Sequence, residues 1–420
     1  MNRAFKREFD LYLDRIRNRT TYNKKLGWLL NSLSSTYFPD YLTFGSFGIS
    51  PTQKYLNNTI SSISPFMWKH IAWPKILKNM NMRFLIPYAA YMKNHSKHIK
   101  DIDRLEQKYL DSLYSILEQS PSSIRDSGFT DFFYFISKTL SIWAETNDLS
   151  LDCFASQKIE HHDHCSEIYY EIHNEIKAHK NRFLITLLLC TRSNWIDCAE
   201  PSVTPFLNQF SSEINDFVDS DEQLSYFKDE HKFFHHKQFD SFLKEKKQTI
   251  LYESDNCGEF FFDLMLIEYL LENGHTVLLS VKEKPFLNDV TLDDLSHILK
   301  TYSFETLETY LDSKKLKIVN SGSAVAGKYV YDVSKDYKKS VKEADIHILK
   351  GQGHFQTMPM GQKILKSFSP FHYKKPILYI MGVKADIIDF SLQSVFKNSP
   401  KRQSLFLYFY DPKNPMTYPS

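Results

Sequence analysis

From Thr249 onward the sequence predicts an α/β domain with a doubly wound, mostly parallel sheet, preceded by a mainly helical region. Short β-type runs alternate with helix-sized apolar segments after Thr249. Parallel strands require this pattern, because each crossover must be long enough to hold a helix. The 12 glycines are also unevenly divided. Gly258, Gly274, Gly322, Gly327, Gly351, Gly353, Gly361 and Gly382 follow Thr249, whereas the longer part before it holds Gly27, Gly45, Gly48 and Gly128. Glycine marks sharp turns and close approaches of the backbone to a ligand, so the two parts differ in architecture. The expected organisation is a helical region over 1–247 and a Rossmann-like α/β domain over 248–420.

In chain order, apolar residues at helical spacing mark the opening segment to Arg19, then Asp101–Glu118, Thr130–Ala144, Ser166–Cys190 and a polar, aromatic stretch from Asp221 to Lys247. Connections rich in Ser or containing Pro, at 32–35, 49–64 and 120–127, separate them. Beyond Thr249 come the strand TILYES, the helix EFFFDLMLIEYLLE, the strand HTVLLSV and a helix from Leu292. The strand LKIVN, a helix near Lys335 and the strands DIHILK, PILYIMGV and SLFLYFY complete the order.

Lys and Arg total 52 against 50 Asp and Glu, a net charge of +2. Such a balance gives no long-range attraction to nucleic acid or to acidic membranes. The five cysteines, Cys153, Cys165, Cys190, Cys198 and Cys257, are dispersed and lack CxxC spacing, which argues against a disulfide framework and for a reducing, cytoplasmic setting. The first 17 residues mix both charge signs with apolar residues, so no secretory leader is expected. The longest apolar run, Phe183–Cys190, is too short for a membrane span of about 20 residues.

A parallel sheet binds ligands at the carboxyl ends of its strands, so the residues after each strand are the first candidates. Asp255-Asn256-Cys257-Gly258-Glu259 follows the first strand and leads into a helix carrying Asp263. Asp and Asn offer hard oxygen donors to Mg²⁺ or Mn²⁺, and a helix start offers N–H groups to an anion; Asp255 or Asn256 as a plain helix cap is the competing reading. Asp289, after the second strand, falls on the same sheet edge, so two carboxylates and an amide would converge. After the fourth strand, Lys350-Gly351-Gln352-Gly353-His354 combines a positive charge with closely spaced glycines able to wrap an anion.

The run SDNCGEFFFDLMLIEYLLENGHTVLLSVKEKPFLNDVT, then IVNSGSAVAG, then ILKGQGHFQTM, resembles the damage-control phosphatases and their ARMT-like relatives, most closely the prokaryotic branch. Upstream, WAETNDLS at 143–150 is similar to a segment of the eukaryote-type branch, with Asp148 at its acidic position. The resemblance implies a divalent cation, Mn²⁺ or Mg²⁺ with Co²⁺ or Ni²⁺ as alternatives, held by Asp255, Asn256 and Asp289. It implies further that Lys350 and nearby backbone N–H groups grip a phosphate, that Asp148, Gly258, Glu259, Gly351, Gly353 and His354 contribute to the substrate pocket, and that Lys384 is a second lysine at the next strand end. His354 stands where the family usually has Asn, Ala385 where it commonly has Cys, and Ala144 and Glu145 where Gly and Asn are expected.

The implied reaction is hydrolysis of a phosphomonoester on a small phosphorylated metabolite such as a sugar phosphate, in a cleft between the two regions. Such hydrolysis needs charge neutralisation at the nonbridging oxygens and an in-line nucleophile. Water activated by the cation is the preferred nucleophile, with the Asp255 carboxylate as the alternative; Glu259 either orients that water or favours the helix start electrostatically. Carboxyl methyl transfer from S-adenosylmethionine, assigned to some ARMT-like relatives, and a noncatalytic phosphometabolite-binding role are the rival classes. A further histidine-rich stretch, Glu160 to Cys165 with His173, has no recognised zinc spacing and is not expected to hold a metal; His235 and His236 are expected to be surface helix residues.

Overall fold

The computed structural model describes residues 152, 154–197, 209–210, 212–214, 233–325, 327–328, 333–357, 375–384, 392 and 404–413. The expected helices before residue 150, Asp148 and Ala385 lie outside these residues.

Helix α1 (Ala155–Ala178) and helix α2 (Arg182–Arg192) occupy the stretch expected as one helix, with a 3₁₀ turn at Ser193–Trp195. They part at 179–181, where the His179 Nδ1 accepts a hydrogen bond from the Asn181 backbone N–H at 3.0 Å, a local side-chain contact that competes with helix propagation. Helix α3 (His236–Glu245) leads into strand β1 (Thr249–Glu253), helix α4 (Phe260–Glu272) and strand β2 (Thr276–Val281). Helices α5 (Leu292–Thr301) and α6 (Glu305–Asp312) follow, then strand β3 (Leu316–Asn320), helix α7 (Lys335–Glu343) and strand β4 (Ile346–Lys350). The short helix α8 (Gln352–Thr357) and strands β5 (Ile377–Gly382) and β6 (Leu405–Tyr410) end the described order.

The six strands form one sheet in the order β3-β2-β1-β4-β5-β6. All neighbours are parallel except β5 and β6. Strands β1, β4 and β5 are buried along almost their whole length, as central parallel strands covered on both faces should be. Alternate residues face opposite layers: Ile250, Tyr252, Val277 and Leu279 join the core with α1, α2 and α4, whereas Leu251 and Leu278 join Val333, Tyr337 and Ala344 around α7. The sheet is therefore wound on both sides. On the outer edge of β6, residues 233–235 pair with Leu407, through His235 N–H to Leu407 O at 2.8 Å and Leu407 N–H to Phe233 O at 2.9 Å, which shields the middle of that edge.

Residues 155–389 and 396–420 belong to one compact unit, so the boundary expected at 247/248 lies inside it. The cause is α4, which is apolar on every side and must be covered beyond the sheet; α1 and α2 provide that cover. Helix α5 begins with a capping box, Thr291 Oγ1 accepting from Asp294 N–H at 3.1 Å and Asp294 Oδ2 accepting from Thr291 N–H at 2.9 Å. The same Oδ2 takes the buried Lys158 ammonium of α1 at 2.9 Å, tying α1 to the layer. Cys165, Cys190 and Cys257 are buried and unbridged. No helix among the described residues is long and apolar enough to cross a membrane.

Candidate active site

The strand order reverses between β1 and β4, and the crevice at that reversal is where an open α/β sheet receives its ligand. Beyond β1 the backbone is held against the segment that follows β2. Val290 N–H donates to Asp255 O, and Cys257 N–H to Asn288 O, each at 2.8 Å, and Asn256 and Asp289 form an antiparallel bridge. These bonds bring Asp255, Asn256 and Asp289 together, as the sequence led us to expect.

From the other side comes Gly351, just past β4, with φ +82°. A Cβ there would lie 1.8 Å from Asp255 Oδ2. The residue is glycine because the Asp255 carboxylate occupies that space. The KGxG segment is therefore not an open anion loop: Gly351 N–H donates to Ile380 O at 2.8 Å, and Gly353 is inside α8. Gly258, with φ +81°, is packed under α1, its hydrogen facing His161 Cβ and Ile196 Cγ2.

Glu259 is fully buried and heavily bonded. It accepts from Asn256 N–H at 3.0 Å, from Asn256 Nδ2 at 2.8 Å and from Asn194 Nδ2 at 3.0 Å. Lys350 Nζ lies 2.8 Å from Glu259 Oε2 and also pairs with Asp263 Oδ1. Against the opposing effect of burial, Asp263, Cys190 and Glu259 hold the Lys350 ammonium well above the ordinary lysine range. Lys350, expected to grip a phosphate, has its charge enclosed here between Glu259 and Asp263. His354 is enclosed likewise. It is fully buried, its Nδ1–H donating to Lys350 O at 2.7 Å and its Nε2 standing 3.9 Å from Glu253 Oε2. Burial, together with Lys328 and Lys282, pushes it down to about 3, so it stays neutral behind the crevice.

Burial, Asp289 and Glu259 push the Asp255 carboxyl well above its ordinary range, against the pull of Lys384 and the Asn194 hydrogen bond. Burial likewise pushes Asp289 up, opposed by Lys282, whose Nζ is 3.3 Å from Asp289 Oδ2. Two buried carboxylates that resist ionisation side by side, joined by an amide, are a donor set suited to a hard divalent cation. The residues present fit such an ion, with Asp255, Asn256 and Asp289 as its oxygen donors. No group of three or more His, Cys, Asp or Glu side chains that could hold a metal ion occurs among the described residues, so the donor set here is two carboxylates and an amide. The histidine-rich stretch of α1 forms none either. His162 is instead buried against Phe261 and held neutral, chiefly by burial, with a pKa of about 4.

Two polar residues that sequence reading missed stand at the centre of the site. Asn194, on the 3₁₀ turn, donates from Nδ2 to Asp255 Oδ2 at 3.0 Å and to both Glu259 oxygens, while its Oδ1 accepts from Gly382 N–H at 3.0 Å. Asp197, three residues on, pairs with Lys384 Nζ at 3.2 Å. The available signal was the polar Asn-x-x-Asp directly after the apolar helix 182–190; it was passed over because it precedes the sheet in sequence.

With this geometry in hand, known proteins give a consistent picture. Residues 73–394 match the damage-control phosphatase ARMT1-like domain. The chain belongs to this family. Among relatives, a damage-control phosphatase of Pyrococcus horikoshii is 34% identical over 115 residues, covering 27% of this chain and 36% of that protein. A damage-control phosphatase of Archaeoglobus fulgidus is 20% identical over 167 residues, covering 36% of this chain and 50% of its own length. The matched stretches thus span half or less of these two relatives. A crystal structure of a DUF89 family protein from Pyrococcus horikoshii superposes with a TM-score of 0.55 at 18% identity, covering 79% of this chain and 96% of that one. The α/β fold is shared with that structure.

Proposed function

We propose that this family member is a divalent-metal-dependent phosphatase acting on phosphomonoesters of small metabolites, sugar phosphates being the representative class. The observation that carries the reading is the meeting of Asp255 and Asp289 at the β1–β4 reversal, through the Asn256–Asp289 bridge and under Gly351. Asp255, Asn256 and Asp289 would hold Mn²⁺, Mg²⁺ or a similar ion. Such an ion, when bound, supplies charge neutralisation at the phosphoryl oxygens and lowers the pKa of water.

The protein's own residues supply the rest. Asn194 keeps the carboxylates of Asp255 and Glu259 apart at fixed distances, so that both remain in place despite their repulsion. Lys350 balances Glu259 and Asp263 from within. Lys384, at the end of β5 and partly accessible, provides the positive charge for a substrate phosphate. Enclosure by α1 and the 3₁₀ turn lowers the local dielectric, which strengthens each of these interactions. The carboxyl methyl-transfer alternative gains nothing from this site, because transfer from a sulfonium needs neither an acidic pocket nor a lysine. The unbridged cysteines support a reducing, cytoplasmic setting.

The test is a phosphometabolite panel assayed for phosphate release with Mn²⁺, Mg²⁺, Co²⁺ and Ni²⁺. Release from at least one phosphomonoester, dependent on the ion and abolished by Asp255→Ala, is expected. Equal release by Asp255→Ala and the unaltered protein would remove the basis of the proposal.

A further inference from the structure

The lysines around the crevice are not equivalent. Lys282 is buried, donating to Val325 O at 2.7 Å and to Gly327 O beside Asp289. Lys328 is buried against Glu253 at 2.8 Å and lies over the Tyr337 ring. Lys350 is enclosed by Glu259 and Asp263. Lys384 differs: its side chain keeps 9% exposure and its partner Asp197 keeps 15%.

Asp197 is delivered to Lys384 by a segment fixed at two points. Asn194 spans Asp255, Glu259 and the Gly382 N–H. Trp195 packs on Gly382 so closely that a Cβ there would lie 2.6 Å from the indole Nε1. Gly382 is two residues before Lys384, so one turn holds both the strand end and the carboxylate that meets its lysine. Asp197 also adds to the negative charge pressing on Asp289. A carboxylate placed there cannot assist the arrival of an anion. It occupies the ammonium that the anion needs.

We propose that Asp197 is a built-in competitor for the substrate phosphate at Lys384, a specificity-determining residue that an incoming phosphomonoester must displace and that returns to Lys384 as inorganic phosphate leaves. The inference rests on the phosphatase reading and deepens it. It makes the Asp197–Lys384 pair the element that sets phosphate affinity, favouring dianionic monoesters that can win the exchange over singly charged anions that cannot.

The experiment is calorimetric titration of the full chain with inorganic phosphate at saturating Mg²⁺, for the unaltered protein, Asp197→Asn, Asp197→Ser, Asp197→Glu and Lys384→Met. Removing a competing charge next to a partly buried lysine should tighten phosphate on the order of tenfold in Asp197→Asn and Asp197→Ser. Asp197→Glu restores the competitor and should stay near the unaltered protein, and Lys384→Met should weaken binding. In turnover, Asp197→Asn should lower KM and kcat together, because product leaves more slowly. A merely structural lesion loosens binding, so a gain in affinity is diagnostic. The inference falls if both Asp197→Asn and Asp197→Ser bind phosphate no more tightly than the unaltered protein while that protein still shows ion-dependent hydrolysis that Asp255→Ala abolishes. If no form binds phosphate and none hydrolyses a phosphomonoester, the phosphatase reading falls with it.

Discussion

Replacing Gly351 with alanine should damage both the fold and the cation site, and the structure separates the two effects. The residue has φ +82°, a conformation that costs an L-residue about 1–2 kcal/mol. The added methyl would lie 1.8 Å from Asp255 Oδ2 and 2.2 Å from its Cγ, where an unstrained contact needs roughly 3.5–4.0 Å. The carboxylate must therefore retreat from its hydrogen bond with Asn194, and such overpacking costs about 1–3 kcal/mol more. Gly274→Ala is the natural control. It has the same φ of +82°, but its new methyl would meet the flexible side chain of Lys247 at 3.2 Å. Urea denaturation should show Gly274→Ala losing about 1–2 kcal/mol and Gly351→Ala losing on the order of 2–5 kcal/mol. Calorimetry with Mn²⁺ should show affinity unchanged in Gly274→Ala and at least about tenfold weaker in Gly351→Ala. Equal stability loss and equal Mn²⁺ affinity in the two variants would refute the placement of Asp255 over Gly351.

Lys350→Met leaves Glu259 and Asp263 buried without their cation, so urea denaturation should show a loss of about 3–5 kcal/mol; a stable variant that only binds phosphate more weakly would restore the gripping role expected from the sequence. Stability should also fall in mild acid. His162 is neutral when folded, with its pKa lowered from 6.5 to about 4, chiefly by burial, so protons bind the unfolded chain first. Its contribution is fully present above pH 6.5 and is lost as pH falls toward 4, to the extent of about 3 kcal/mol. Urea midpoints measured across that range should flatten in His162→Phe, and an unchanged pH dependence would show that His162 is not the group responsible.

The fold was legible because its strands carry unusually strong signals. Each of the six expected runs coincides with an observed strand to within a residue or two at either end; five are buried along most of their length and rich in β-branched and aromatic residues. The convergence of Asp255, Asn256 and Asp289 was legible for a related reason: in a parallel sheet all strand ends of one sense lie on one edge, so residues 34 positions apart can be placed together without knowing a side-chain angle. The surroundings of Lys350 and His354 were not legible because that rule fixes an edge and not a direction. Glu259 precedes α4 and Asp263 lies in its first turn, and only packing shows that both turn toward Lys350. Asn194 and Asp197 escaped because they enter from a turn ahead of the sheet, and their short polar Asn-x-x-Asp pattern does not by itself say that it reaches the strand ends. The cover that α1 and α2 give α4 was not legible on the same ground, since a largely apolar helix demands a cover but does not say which segment supplies it.

The central claim is that Asp255 and Asp289 share one divalent ion. The most direct measurement is anomalous diffraction from crystals of the full chain soaked in Mn²⁺, collected on the unaltered protein and on Asp289→Ala. The expected result is a single strong peak within coordinating distance of both carboxylates and the Asn256 amide oxygen, absent from the variant. A peak that survives in Asp289→Ala, or one that forms away from the β1–β4 reversal, would contradict it.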